Sequence, residues 1–507
     1  MINLPERVQN RWMVTVSIML ATVMQVLDTT IANVSLPYMQ GSLSASQDEI
    51  AWVLTSYIVA AGIVTPLSGW LSERLGRKRL LLGSVGGFTL ASMLCGSAGG
   101  LGEMITFRLL QGVFGASLVP LSQAVLLDIN PSERHGRAMA IWGAGIMVAP
   151  ILGPTLGGWI TQNYSWRWVF YINVPVGVLA FAGISAFVAE MRRNNRAPFD
   201  LFGFAFLGLA VGALQLCLDR GEQQDWFGST EIVLEATTAV TALWIFIVHS
   251  ATHERPFLDP AMLKDRNFVV ANVVMFLAGA VMYGVLALLP PLLSMLNYPE
   301  VTIGLLLAPR GITTMIFMIV CGRVIGRIDI RLIVIVGLSV TALSMWEMTQ
   351  YSPQMSWEPI VEAGLVQGAG LGFIFVPVST AAFSTLPETL RGEGTGVFSL
   401  LRNVGGSIGI SISETLLDRM EQINHSQLTR WISPFNPTLT AGRIGHIFAW
   451  HSADGLAMLN KIIDGQAAFI GYLDIFKAMM IACIVALPLV LLLRPTATTG
   501  AQRIAVD

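Results

Sequence analysis

Charge is what this chain has least of. Only 12% of its 507 residues are charged and 54% are hydrophobic, whereas a soluble globular domain carries about 25% charged residues. The shortage excludes an ordinary water-soluble fold and leaves a membrane protein, in keeping with a mean hydropathy of +0.65. The formal net charge of −2 and a pI near 6.3 exclude nucleic acid as a partner. Cysteine is scarce too. Cys95, Cys217, Cys321 and Cys483 all fall inside apolar runs without paired spacing, so neither a disulfide framework nor a thiolate metal site is expected. His446 and His451 are five residues apart, off one helical face, which argues against zinc; no metal is expected. A G-x-x-x-x-G-K-S/T loop is missing, as is any soluble stretch large enough for an enzyme. A nucleotide-driven pump and a catalyst are thereby excluded.

What the chain does have is long hydrophobic runs. Segments of about 20 residues, enough for a ~30 Å hydrocarbon core, lie at 13–36, 50–71, 79–98, 103–126, 137–160 and 167–189. Two follow at 200–218 and 232–250, then six at 267–293, 300–321, 331–350, 358–383, 394–417 and 468–493. This pattern predicts an all-α multi-pass membrane protein of fourteen helices. No short apolar region with a small-residue cleavage site precedes the first run, so an uncleaved first helix is expected. Basic residues gather in the even-numbered connections: Arg74, Arg77, Lys78 and Arg79, then Arg134 and Arg137, then Arg192, Arg193 and Arg196. They continue with Arg255, Lys264 and Arg266, with Arg323, Arg327 and Arg331, and with Arg391; Arg167 and Arg220 are the exceptions. By the positive-inside rule both termini and the even loops are cytoplasmic. The connection 418–467 then lies outside.

The chain also repeats itself. Gln111-Gly112 and Pro120 recur as Gln367-Gly368 and Pro377, an offset of 256 or 257 residues. Pro131 to Arg137 recurs around Pro387 to Arg391, and Gly69 and Gly76 have partners in Gly322 and Gly326. Spans 1–6 therefore correspond to spans 9–14. The expected organisation is a cytoplasmic N-terminus (1–12), a first six-helix half (13–190), an inserted helix pair with its linkers (191–266), a second half (267–493) containing the outer loop 418–467, and a cytoplasmic tail (494–507). Parallel halves of this kind predict a central cavity between them, opened alternately by rocking.

Polar residues inside the spans locate the chemistry. Asp28 stands in the first apolar run with Gln25 and Asn33. A carboxylate there costs roughly 3 kcal/mol on insertion scales unless it faces a cavity or a partner, so it is a functional candidate by default. Arg108 opens span 4. At 1.5 Å per residue Asp28 lies ~23 Å from the cytoplasmic face and Arg108 ~8 Å below the outer one, nearly the same level in a ~30 Å core. A neighbouring guanidinium favours the charged carboxylate and desolvation the neutral acid, so moving between the two takes up and releases a proton. Arg310 in span 10 and Arg402 with Asn403 in span 13 are expected to face the interior, either to bind an anionic substrate or to pair structurally.

Several stretches carry a resemblance. Leu27 to Pro37 resembles the first-helix signature of proton-driven drug exporters. Gly69-Trp70-Leu71-Ser72-Glu73-Arg74-Leu75-Gly76-Arg77-Lys78-Arg79 is similar to the cytoplasmic-loop signature of the major facilitator superfamily, with Glu73 where the family usually has aspartate. Arg108 to Ala116 resembles its fourth-helix motif. Gly145, Ala149, Gly153 and Gly157, four residues apart, form a smooth packing face with Pro150, Pro154 and Gly158. Gly153 to Gly158 resembles the antiporter signature. Ser165 to Gly177, Leu218 to Gly221 with Asp225-Trp226-Phe227, and Pro434-Phe435-Asn436-Pro437 resemble the EmrB/QacA branch of drug:proton antiporters, nearest the EmrB side.

The resemblance implies drug efflux driven by the proton gradient, with no cofactor. Asp28 and Arg108 would couple protons, and Gly69, Glu73, Arg74, Gly76, Arg77 and Lys78 would form an inner gate. Gln25, Asn33, Gln111, Arg310, Arg402 and Asn403 are candidates for the substrate cavity. Substrates would be hydrophobic or amphipathic small molecules. The location would be the bacterial inner membrane, with an EmrA-like periplasmic adaptor and a TolC-like outer-membrane channel as partners. A specific exporter of a siderophore or fatty acid is the alternative; a proton-coupled importer is disfavoured by the Gly153–Gly158 stretch.

Overall fold

Backbone amides find no water inside a bilayer, so apolar runs of this length close their hydrogen bonds within helices. The computed structural model describes residues 10–190, 199–432 and 452–494. Among these residues every named element is helical, with one isolated bridge between Ile325 and Ile328. The main helices of the first half are α1 (Arg11–Ser42), α2 (Trp52–Val64 and Leu67–Leu75), α3 (Arg77–Ser97), α4 (Leu101–Ile129), α5 (His135–Asn163) and α6 (Trp168–Phe187). Next come α7 (Leu201–Arg220) and α8 (Thr230–Thr252), followed by α9 (Arg266–Met295), α10 (Glu300–Val324), α11 (Ile330–Met348), α12 (Glu358–Ser384), α13 (Arg391–Thr429) and α14 (Ala453–Val490). The two pieces of α2 meet at 59°, where Pro66 can donate no backbone hydrogen bond.

Twelve described helices are long and apolar enough to cross a membrane, or thirteen with the bent pair of α2 taken as one span. α13 has the length, 39 residues, but its glycines, serines and Arg402 keep it too polar for that test. A count of fourteen spans is compatible with this set.

The packing repeats. α1 lies against α5 and α6, α4 against α2 and α3, and α3 against α6. In the same way α9 lies against α13 and α14, α12 against α10 and α11, and α11 against α14. α5 runs along α10, and the inner piece of α2 meets α13, so the halves touch along two seams. α7 packs on α8 and leans on α2, where Gly208 and Gly212 let Ile63 approach.

The outer connection differs from expectation. α13 continues to Thr429 and α14 already begins at Ala453, so much of 418–467 is helix rather than loop. The two extensions stay together: His425 Nε2 lies 3.1 Å from Asn460 Oδ1 and 3.2 Å from Asp464 Oδ1. Hydropathy ends where lipid ends, whereas a helix continues while its backbone bonds do. Pro434, Phe435, Asn436 and Pro437, together with His446, His451, Arg192, Arg193 and Arg196, fall outside the described residues, as does the tail from 495.

Candidate functional site

Helix geometry sets Asp28 of α1 beside Arg108 of α4. The carboxylate is 1% exposed and the arginine 0%. Arg108 Nη1 donates to Asp28 Oδ2 at 2.6 Å, and Gln111 Nε2, one turn further along α4, donates to Oδ1 at 2.8 Å. From α6, Asn173 Nδ2 donates to the same Oδ1 at 2.6 Å and to Ser92 Oγ at 3.0 Å. Arg108 is itself held: its Nε donates to the Val53 carbonyl at 2.9 Å, and its guanidinium lies 4.4 Å from the Tyr57 ring centre. Three donors on one carboxylate are arranged for the anion. Taking α1 away from α4 and α6 would strip the carboxylate of all three donors. Removing one partner of such a buried pair costs about 3–5 kcal/mol, because the other charge stays behind.

The end carrying the basic loops is tightly joined. A Cβ placed on Gly69 would lie 2.9 Å from both Cα and N of Glu393, at the start of α13. Only glycine allows backbones that close. Gly76 turns the chain from α2 into α3 at φ +89°, a conformation that favours glycine. The turn directs Arg77 inward, where it is 5% exposed, pairs with Asp128 and donates to the Ala124 carbonyl at 3.0 Å. Lys78 Nζ donates to the Ser185 carbonyl at 2.7 Å, and the Arg74 guanidinium lies 5.1 Å from the Trp70 ring centre. Glu393 Oε2 accepts from the Asp259 amide at 3.2 Å. At the second seam Gly136 of α5 packs on Ile325, just past α10. Arg77 thus ties α3 to α4 and Lys78 ties it to α6, while Gly69 lies on the second half.

α5 flanks the buried pair. Gly145 packs on Met19, Gly153 on Thr30 and Gly157 on Ile31, all on α1 and on both sides of Asp28. Pro154 turns the other way: a Cβ on Gly304 of α10 would lie 3.9 Å from its Cβ. Pro150 is half-buried near the start of the second piece of α5. Gly158 is the exception in this motif, with nothing within 4 Å of a Cβ built there.

A family model described as Major Facilitator Superfamily matches residues 18–410. The chain belongs to the major facilitator superfamily. It is 36% identical over 496 residues to the fatty acid resistance protein FarB of Neisseria gonorrhoeae, covering 96% of this chain and 97% of that one. To the multidrug export protein EmrB of Haemophilus influenzae it is 37% identical, covering 92% of each chain. The Escherichia coli K12 EmrB is 36% identical over 90% of this chain and 88% of its own length. Among solved structures, the proton:xylose symporter XylE shares the fold at a TM-score of 0.60 with 14% identity, over 93% of this chain and 94% of that one. This protein is therefore a multi-pass transporter of the major facilitator superfamily with an EmrB-type sequence.

Within that superfamily fold some cavity candidates fall elsewhere. Gln111 is 0% exposed and belongs to the Asp28 cluster rather than to a cavity wall. Asn33 and Asn403 are exposed, and Asn403 Oδ1 accepts from Arg402 Nε at 3.4 Å. Gln25 is half-buried, with no hydrogen bond on Oε1. Arg402 is 8% exposed, with its guanidinium 5.8 Å from the Phe375 ring centre. Arg310 is partly buried against Gly364 of α12. Sequence reasoning missed Asn173, Tyr57, Asp128 and Glu393 as parts of the site and gate. It also missed a clamp at the α7–α8 pair, where Asp200 accepts from the Gly203 and Phe257 amides and lies 2.9 Å from His249 Nε2. Of these, Asn173 sat in a stretch already singled out, Ser165 to Gly177, and Glu393 closed the repeat that begins at Pro387.

Proposed function

We propose that the protein exports hydrophobic or amphipathic small molecules across the bacterial inner membrane in exchange for protons. The observation that carries the reading is the sealed carboxylate of Asp28, held by Arg108, Gln111 and Asn173 inside a transporter. A group that must shed three donors to accept a proton ties protonation to movement of α1. The gate at Gly69, Glu73, Arg74, Gly76, Arg77 and Lys78 would hold the cytoplasmic side closed while Asp28 is ionised. The relatives named multidrug export proteins support export as the direction. The positive-inside pattern supports cytoplasmic termini, and the six-plus-two-plus-six order treats α7 and α8 as an insertion between rocking halves.

We further propose a periplasmic adaptor of the EmrA kind and an outer-membrane channel of the TolC kind as partners, with the outer extensions of α13 and α14 and the segment between them as the docking region. A narrower substrate range is the second reading, favoured by the 36% identity to a fatty acid resistance protein. The test is transport in proteoliposomes under an imposed pH gradient. Asp28→Asn is expected to stop gradient-driven transport while leaving membrane insertion intact; wild-type transport by that variant would sink the proposal.

A further inference from the structure

The two halves share a register that their glycine contacts make explicit. A Cβ on Gly112 would meet the Tyr57 carbonyl, Ala60 Cβ and Ala61 N; a Cβ on Gly368 would meet the Arg310 carbonyl, Thr313 Cβ and Thr314 N. The spacing is the same, so Arg310 of α10 holds the position of Tyr57 of α2. Gly157 of α5 meets Ile31 of α1, and Ser413, its counterpart in α13, lies against Gly284 of α9; α1 and α9 end at Ser42 and Met295, at the same offset as Tyr57 and Arg310. Val281 therefore stands where Asp28 stands. Gln367 corresponds to Gln111, and Arg108 then falls on Gly364.

Asp28, Arg108, Gln111 and Tyr57 thus correspond to Val281, Gly364, Gln367 and Arg310. The second half keeps a cation and an amide but no carboxylate. Its cation has changed helices: Arg310 stands beside Gly364, where an added Cβ would lie 3.6 Å from Arg310 Cβ. Among the described residues the Arg310 guanidinium has no hydrogen bond or ion pair, and only its carbonyl is engaged, by Thr314. Gln367 is 0% exposed, with neither amide atom partnered. An unneutralised arginine within a span is costly, and its planar fork matches a carboxylate.

We infer that Arg310, backed by Gln367, receives the carboxylate of the exported molecule, so that amphiphilic monoanions are a favoured substrate class. Substrate supplies in the second half what Asp28 supplies in the first. The inference rests on the export reading above. Asp28 cannot itself repel the incoming anion strongly, because its charge is already paired with Arg108.

Equilibrium binding to the full-length protein in lipid nanodiscs tests it, with dodecanoate and its neutral isostere dodecanamide as probes. Arg310→Gln is expected to weaken dodecanoate roughly tenfold or more, while dodecanamide stays within about twofold. Arg310→Lys should recover part of the loss. Val281→Asp, which rebuilds the missing carboxylate, should also weaken dodecanoate by neutralising the arginine from within. Unchanged dodecanoate binding in Arg310→Gln, equal losses for acid and amide, or wild-type dodecanoate affinity in folded Val281→Asp would overturn the assignment. The assay needs no gradient. A wild-type protein that binds dodecanoate through Arg310 yet shows no proton-driven export keeps the subsite and loses the export reading.

Discussion

The first half of the molecule closes its intramembrane charge and the second leaves it open. In the first, Asp28 and Arg108 neutralise each other at 2.6 Å with two amides completing the shell. In the second, the matching positions hold Val281 and Gly364, and Arg310 stands without a counter-ion among the described residues. The helix contacts on which these residues sit are the same in both halves. A duplicated scaffold thus carries two different electrostatic devices through changes at a few positions. A closed pair can be opened by motion, which suits a proton; an open cation can be filled from outside, which suits a ligand.

The largest expected effect comes from breaking the closed pair. Asp28→Asn should bring resistance in cells down to that of a strain without the gene. Because Arg108 is then left buried and unpaired, the variant should also lose about 3–5 kcal/mol of stability. The double variant Asp28→Asn/Arg108→Gln should regain much of that stability without regaining transport, as read from melting in detergent and from efflux. A double variant that exports at the wild-type rate would remove the pair from coupling.

Next in size is the seam between the halves. Gly69→Leu drives a side chain into the Glu393 backbone, an overpacking that costs about 1–3 kcal/mol. Turnover should fall further than substrate affinity; equal losses in counterflow and binding would mark a folding defect instead. Within α5 the contrast is finer. Gly153→Ala puts a methyl 2.7 Å from Thr30 Cβ, whereas Gly158→Ala meets nothing within 4 Å. Export should drop in the first and stay at the wild-type level in the second.

A smaller effect lies just past the C-terminal end of α7. Burial and then the neighbouring Asp418 push the Glu222 carboxyl up to about 7. The sign follows from that direction. An acid whose folded value is raised contributes stability that is full below its ordinary carboxylate range and is lost as pH rises towards about 7. Melting temperature should therefore fall between pH 4.5 and 7, and Glu222→Gln should flatten that slope. The least change is expected from Glu73→Asp, which keeps the gate's charge; loss of export there would show that the longer stem is required.

How much of this was legible in the sequence depends on the kind of signal. Long apolar runs and the Gln111/Gln367 repeat announce helices and two halves, because lipid leaves the backbone no other choice. α13 and α14 outrun their hydropathy, so their outer ends were not legible. The meeting of Asp28 and Arg108 followed from rise per residue alone. Asn173 carries no charge, and nothing in the stretch Ser165 to Gly177 marks it as a ligand of Asp28. Asp128 looks like an ordinary residue at a helix end until Arg77 turns inward. The correspondence of Arg310 with Tyr57 is hidden because the two sit 253 residues apart, whereas the glutamines are offset by 256; only contacts supply the register.

Proton release on ligand binding tests the central claim most directly. Dodecanamide, which carries no titratable group, is added to purified protein in weakly buffered detergent while pH is followed. Exchange of substrate for a proton at Asp28 predicts proton release from the wild type and none from Asp28→Asn, with both proteins still binding the probe. Equal proton release from both would contradict the account.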